Sequence, residues 1–228
     1  MHIPLFSELD FSVVWRYRAA LFEATGVTCA LTLLSFAIGS CIAGFLVLIQ
    51  YSSMKVFRFA GRSFIEFWRD TPLLVQALWV HFALPLITGV NTSPITSGLI
   101  AISLNNSAYL AEIFRAGING VSEEQWEAAK ALGLGRWPSW TRVVLPQAIK
   151  IVLPATTGFA ISVLKGTAIL SILAVTELLR VSTQINNVTF RPVEIFTFTA
   201  IVFLMIGLLI FSAGKKLESS FAWGGGRS

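Results

Sequence analysis

The residues able to do chemistry in this sequence are few, and most of them interrupt apolar runs. Arg69-Asp70 opens one run. Asn105-Asn106-Ser107 sits inside another, followed by Glu112 and Arg115, and Lys165, Thr167 and Ser171 lie in a third. Polar groups inside a membrane cost free energy and usually face protein or a water-filled cavity. Asn105, Asn106, Ser107, Lys165 and Thr167 are therefore the candidates to line a polar pathway, with Ser171 beside them. Each has a plainer use: Ser and Thr hydroxyls bond back to helix carbonyls, and Asn joins helices. Lys165 stands about 15 residues beyond Lys150, roughly 22 Å along a helix, which favours a protein-lined position over snorkelling. Glu112 and Arg115, three apart, are expected to pair, and Arg69-Asp70 is expected to do the same.

Hydrolytic, redox and metal chemistry lack their parts. His2 and His81 are far apart, and His81 reads as a packing histidine. Cys29 and Cys41 share one apolar run and read as packing residues. No nucleophile–base pair and no zinc or iron spacing appears. A phosphate-binding G-x-x-x-x-G-K-[ST] loop is missing, and Gly224-Gly225-Gly226-Arg227 is a poor imitation of one.

The elements that must carry these residues are membrane helices. Of 228 residues, 55% are hydrophobic and 13% charged, about half the charge of an average soluble domain, and the mean hydropathy is +0.74. Five apolar segments are long enough to span: Ala24 to Ile49, Phe64 to Val90, Pro94 to Phe114, Ala148 to Val175, and Ile195 to Ala213, the last ended by Gly214-Lys215-Lys216. Glu8 and Asp10 spoil a basic leader, so the first reads as an uncleaved span. The chain is thus expected to be all-α and polytopic, one membrane domain over residues 1–228. The net charge of +5 does not point to nucleic acid, because the basic residues sit in short groups between apolar runs. Eleven Lys and Arg fall on the side of the first loop, third loop and C-terminal tail, against four on the other. By the positive-inside bias the C-terminus is cytoplasmic and the N-terminus outside. An odd span count argues against an inverted-repeat carrier.

The longest polar stretch, residues 120–146, is the informative one. Ser122 and Gln125 fit a capping box, and Glu123 and Glu124 favour a helix start. A helix of about 11 residues, roughly 16 Å, follows, with Gly133 and Gly135 as its stop. Pro138 is suited to start a second short helix, and Pro146 is expected to break the chain before the fourth span. From the residues alone, a helix lying on lipid and a helix docking on another protein both remain open.

Glu127-Ala128-Ala129, Gly133, Val143 and Leu145-Pro146, in that spacing, resemble the EAA loop of ABC importer permeases, with Val143 where the family usually has Ile. Phe67 to Gln76 is similar to "FRGTPLLVQ" and Ser107 to Ile118 to "GAYLAEIFRGGI", so nearly the whole chain resembles the histidine/glutamine/arginine-like branch. The resemblance implies a type I importer fold and a permease subunit for polar amino acids, with Glu127, Ala128, Ala129, Gly133, Leu145 and Pro146 coupling it to an ATPase. It implies an ATPase dimer carrying ATP and Mg, a second permease copy (identical or paralogous), an extracytoplasmic substrate-binding protein and a plasma (inner) membrane location. The chain itself is then expected to bind no cofactor and to be no enzyme. An opine or another polar solute as cargo is the alternative. A stand-alone ion-coupled carrier is disfavoured, since no carboxylate lies in the middle of a span. The branch commonly carries Asp where Gly166 stands, which implies a cavity less suited to strongly cationic cargo and leaves Lys165 without an adjacent acid.

Overall fold

The structure is a computed structural model and describes residues 9–222. The expectations for His2, Glu8 and Gly224-Gly225-Gly226-Arg227 concern residues outside that range. Among the described residues every regular element is helical: α1 Ser12–Arg16, α2 Arg18–Gln50, α3 Lys55–Asp70, α4 Leu73–Leu78, a π turn Trp79–Ala83, α5 Leu84–Thr88, α6 Pro94–Asn119, α7 Glu123–Ala131, α8 Arg136–Ser139, a second π turn Trp140–Val144, α9 Leu145–Thr167, a 3-10 segment Ala168–Leu173, α10 Leu178–Thr189 and α11 Pro192–Ala222.

Three helical stretches, Arg18–Gln50, Arg136–Leu173 and Pro192–Phe221, are long and apolar enough to cross a membrane, and the pair Lys55–Asp70 and Leu73–Thr88 makes a fourth if taken as one broken span. That is fewer than the five read from the sequence. The difference is α6, which is long enough at 26 residues but too polar, carrying Asn105 to Ser107, Glu112 and Arg115.

One expected helix break does not occur. Pro146 does not break the chain, because helix runs continuously from Arg136 to Leu173. Proline removes an N–H that an α-helix needs, and the π turn Trp140–Val144 just before it changes the carbonyl register where that bond would fall. Gly214 ends the fifth apolar segment but not the helix. It lies inside α11, where a Cβ would overlap the side chain of Thr157, so its smallness serves close packing. α10 is an element that the sequence reading did not identify.

The chain divides into two compact units. The first comprises Met1–Ser35, Leu73–Ile102 and Val163–Leu208. Its core packs Val13, Leu21, Leu178, Ile185 and Ile195. The backbone N–H of Leu178 donates to Thr28 Oγ1 at 3.0 Å, and Thr199 Oγ1 donates to Ser182 Oγ at 2.7 Å. Glu177, fully buried, caps α10 by accepting from the N–H groups of Leu179 and Arg180. Burial nonetheless pushes its carboxyl up to about 7, the two N–H bonds pulling the other way. His81 shares a 3.0 Å hydrogen bond with buried Ser97, which is itself bonded to Thr92, consistent with a satisfied packing histidine.

The second unit comprises Phe36–Pro72, Ser103–Ser162 and Leu209–Ser228. Its core joins Ala43, Leu46 and Val47 of α2, Ile65 of α3 and Ala108, Leu110 and Ala111 of α6. Small residues let these helices approach closely. At Gly39 an added Cβ would stand 2.9 Å from Asn106 Cβ and 3.2 Å from the Ser103 carbonyl oxygen. At Gly44, one turn on, nothing lies within 4 Å. Gly39→Val is therefore expected to force α2 and α6 apart and destabilise the protein by about 1–3 kcal/mol, whereas Gly44→Ala leaves it unchanged. Thermal unfolding of the detergent-purified variants checks this, and equal melting temperatures for the two would refute it.

Candidate functional site

Residues 120–146 all lie in the second unit, which can be built up from its aromatic residues. Trp126 of α7 meets Trp140 edge-on at 5.7 Å, and Trp140 meets Tyr51, at the end of α2, edge-on at 6.3 Å. Tyr51 in turn donates to Asn119 Oδ1 at 2.7 Å. Val121, Val144 and Ala148 close the apolar side beneath them. Edge-to-face pairs contribute about 0.5–1.5 kcal/mol beyond their burial, so these rings fix α7 firmly despite its nine residues. A hollow of about 820 Å³ opens between them, with Glu123, Lys130 and Arg136 at its polar edge.

The ends of α7 differ from one another in how they are made. Ser122 occupies the N-cap with extended backbone, but its side chain makes no capping bond. The expected capping box does not form, because the Gln125 amide oxygen accepts from Gln147 Nε2 at 3.1 Å instead. The C-terminus is as expected. Gly133 has φ +69°, its N–H donates to the Lys130 carbonyl, and the Leu134 N–H donates to that of Ala129. This is a Schellman motif, which needs a left-handed residue at that position. α8 then starts at Arg136 with Pro138 in its first turn.

The Glu-Ala-Ala triplet divides between two faces. Glu127 and Ala128 are exposed, as are Glu124 and Ala131 on the same side, while Ala129 is 2% exposed. Gly133, Leu145 and Pro146 are also exposed. Beyond the helix end, Leu132 and Trp137 are each 78% exposed, a large apolar pair at an otherwise polar tip. The sequence alone assigned no packing role to Tyr51, Trp126, Trp140 or Gln147. Three tryptophans lie in this polar loop, and residue type alone did not tell that Trp126 and Trp140 pack on each other while Trp137 stays exposed.

A second construction in this unit concerns the break at Thr71-Pro72. The last carbonyls of a helix have no partner within it, and Pro72 cannot supply an N–H. α6 provides donors from one face: Asn105 Nδ2 donates to the Trp68 carbonyl at 2.9 Å and Tyr109 Oη to the Arg69 carbonyl at 3.2 Å. One turn further along α6, Glu112 is 3.9 Å from the Arg69 guanidinium and forms a two-pronged pair with Arg115 at 2.6 and 3.1 Å. Glu112 and Arg115 thus pair as expected. Arg69 does not pair with Asp70 among the described contacts but turns to Glu112, because side chains at i and i+1 of a helix point in different directions.

The remaining pathway candidates are mostly enclosed. Asn105, Asn106 and Ser107 are 8%, 3% and 0% exposed. Asn106 packs on Gly39, and its Nδ2 has no hydrogen-bond partner. Ser107 and, in the first unit, Thr167 bond back to the carbonyls of Leu104 and Leu164. Lys165 was expected to be lined by protein. Within this chain it is exposed, and no carboxylate stands within ion-pair distance among the described residues.

The family described as binding-protein-dependent transport system inner membrane component matches residues 27–222. A probable amino-acid ABC transporter permease protein, YckA, of Bacillus subtilis is 32% identical over 200 residues, 88% of each chain. The arginine transport system permease protein ArtQ of the same organism is 30% identical over 92% of this chain and 96% of its own. A crystal structure of an amino acid ABC transporter with histidines superposes with a TM-score of 0.87 at 34% identity, covering 93% of this chain and 99% of that one.

Proposed function

The chain belongs to the family of binding-protein-dependent transport system inner membrane components, and from that premise we propose how it couples and what it carries. It is a multi-pass inner-membrane permease subunit of an ABC importer with the type I fold, and its family implies an ATPase partner and a binding protein. The proposed cargo is a polar amino acid. The proposed assembly pairs this chain with a second permease copy, identical or paralogous, so that each copy forms one wall of the pathway. An ATPase dimer, holding ATP and Mg, then offers one groove to each copy. The binding protein delivers cargo from outside.

The observation that carries the coupling role is the outward face of α7. Glu124, Glu127, Ala128 and Ala131 offer small or acidic groups to a partner, with Leu132 and Trp137 exposed beside them. The opposite face is locked by Trp126, Trp140 and Gln147. A push on such a helix passes to the long helices behind it without being lost in loop motion. Glu127→Lys is expected to leave membrane insertion intact while abolishing ATP-driven uptake and weakening ATPase co-purification about tenfold or more. Normal uptake and normal co-purification would show that α7 docks nothing.

Counting α6 as a fifth span whose polar residues face protein, the orientation proposed is N-terminus outside and C-terminus in the cytoplasm, on the strength of the Lys/Arg count. Cysteine placed at Asn91 should then react with an impermeant maleimide in intact cells, and cysteine at Glu124 only after lysis. Labelling of both from one side overturns it.

Among the five pathway candidates Lys165 is the one that is exposed, and we assign it the cargo's carboxylate. Gly166 beside it brings no acid to hold an extra ammonium group, so neutral amino acids should compete for uptake better than cationic ones. Lys165→Gln is expected to lower the uptake rate several-fold and to narrow that preference. If competition assays show neither change, Lys165 lies outside the pathway.

A further inference from the structure

One charged hollow in the second unit is used by none of the roles above. It encloses about 600 Å³ between α3, the end of α2 and α6. Four guanidinium groups line it, Arg58, Arg62, Arg69 and Arg115, against two carboxylates, Glu66 and Glu112. The carboxylates are already committed: Glu66 accepts from Arg62 at 2.7 Å and Glu112 holds Arg115 in a two-pronged pair. Arg69 stands 3.9 Å from Glu112, and Arg58 meets no carboxylate within ion-pair distance among the described residues, bonding to the Ser52 and Ser53 carbonyls through Nη1. A guanidinium has five N–H donors, so the hollow keeps two positive charges and several donors in excess.

The setting of this hollow indicates the kind of anion it takes. α3 is amphipathic, and its apolar side is only partly covered. Gly61 and Ile65 are buried, but Val56, Phe57, Phe59 and Phe67 are 49–74% exposed, and Phe59 is itself part of the hollow's wall. Aromatic side chains exposed beside a row of arginines on one helix are the pattern of an element lying at a lipid–water interface. Basic pockets between membrane helices on the cytoplasmic side receive anionic headgroups, and planar guanidinium forks match phosphate oxygens. We infer that the hollow between α3 and α6 is a binding site for the phosphate group of an anionic phospholipid, its acyl chains lying along the exposed phenylalanines of α3. The site holds the second unit to the leaflet surface beside Arg69, at the broken end of α3. The cytoplasmic placement rests on the orientation proposed above, but lipid retention in a symmetric bilayer does not depend on it.

The test uses the full chain purified with its ATPase partner and reconstituted in nanodiscs of mixed phosphatidylglycerol and phosphatidylcholine, with the lipid retained after detergent extraction read by native mass spectrometry. The wild type is expected to retain phosphatidylglycerol selectively. Arg58→Gln with Arg62→Gln should reduce that retention about tenfold or more. Arg58→Gln alone, which leaves the Arg62–Glu66 pair in place, should give an intermediate loss. Lys215→Gln with Lys216→Gln, the same charge change on α11, should change little. Equal retention by the wild type and the double arginine variant overturns the site, and so does equal loss in the lysine control. Displacement of the lipid by millimolar inorganic phosphate as readily as by added phosphatidylglycerol overturns the assignment to a lipid.

Discussion

Every backbone polar group that leaves water must find its partner inside the protein, and this constraint bears hardest at the break between α3 and α4. Pro72 ends α3 and leaves carbonyls that no turn of that helix can satisfy. Asn105 and Tyr109 answer two of them from α6. A single membrane hydrogen bond of this kind contributes on average about 0.6 kcal/mol, so the arrangement does not hold the bundle by strength. It decides which face of α6 turns toward α3, and with it where Glu112 and Arg115 stand.

The polarity of α6 follows from the same constraint. A helix that must supply amide, hydroxyl and carboxylate groups to a broken neighbour cannot also be uniformly apolar. α6 therefore falls short of the apolar composition of α2 and α11 and survives by burying its polar residues against protein. Gly39 allows α2 to close over Asn106 and Ser103, which keeps the middle of α6 from lipid.

α6 leads directly into α7 through residues 120–122. The α7 helix is too short to be stable alone, and its order comes from two rings, Tyr51 and Trp140, and one amide, Gln147, contributed by segments before and after it in sequence. Ala129, turned inward, sits on that support, while Glu127 and Ala128 stand outside it. A surface built this way is rigid without being large, which suits the coupling role proposed for it. The broken end of α3 and the short helix α7 are thus attached to the two ends of one short stretch of α6, from Asn105 to Asn119.

By itself the sequence determined a great deal here. Long apolar runs separated by short basic loops specify membrane helices, since hydrocarbon leaves few other structures open to a chain. The Gly133 stop was legible because a left-handed residue is needed wherever a helix ends in this motif, a local requirement. The Glu112–Arg115 pair was legible for the same reason, being set by helix spacing alone. What only the tertiary structure decided was everything that depends on a neighbour distant in sequence. Asn105 reads as a pathway residue or as a joint between helices, and only the fold shows that Trp68, 37 positions earlier, presents its carbonyl to it. Ser122 and Gln125 read as a cap until Gln147 takes the amide. Gly214 reads only as the end of an apolar segment until Thr157 is found against it. In each case local pattern states what a side chain is able to do, and the choice is made by which donor, acceptor or surface the fold brings within a few ångströms.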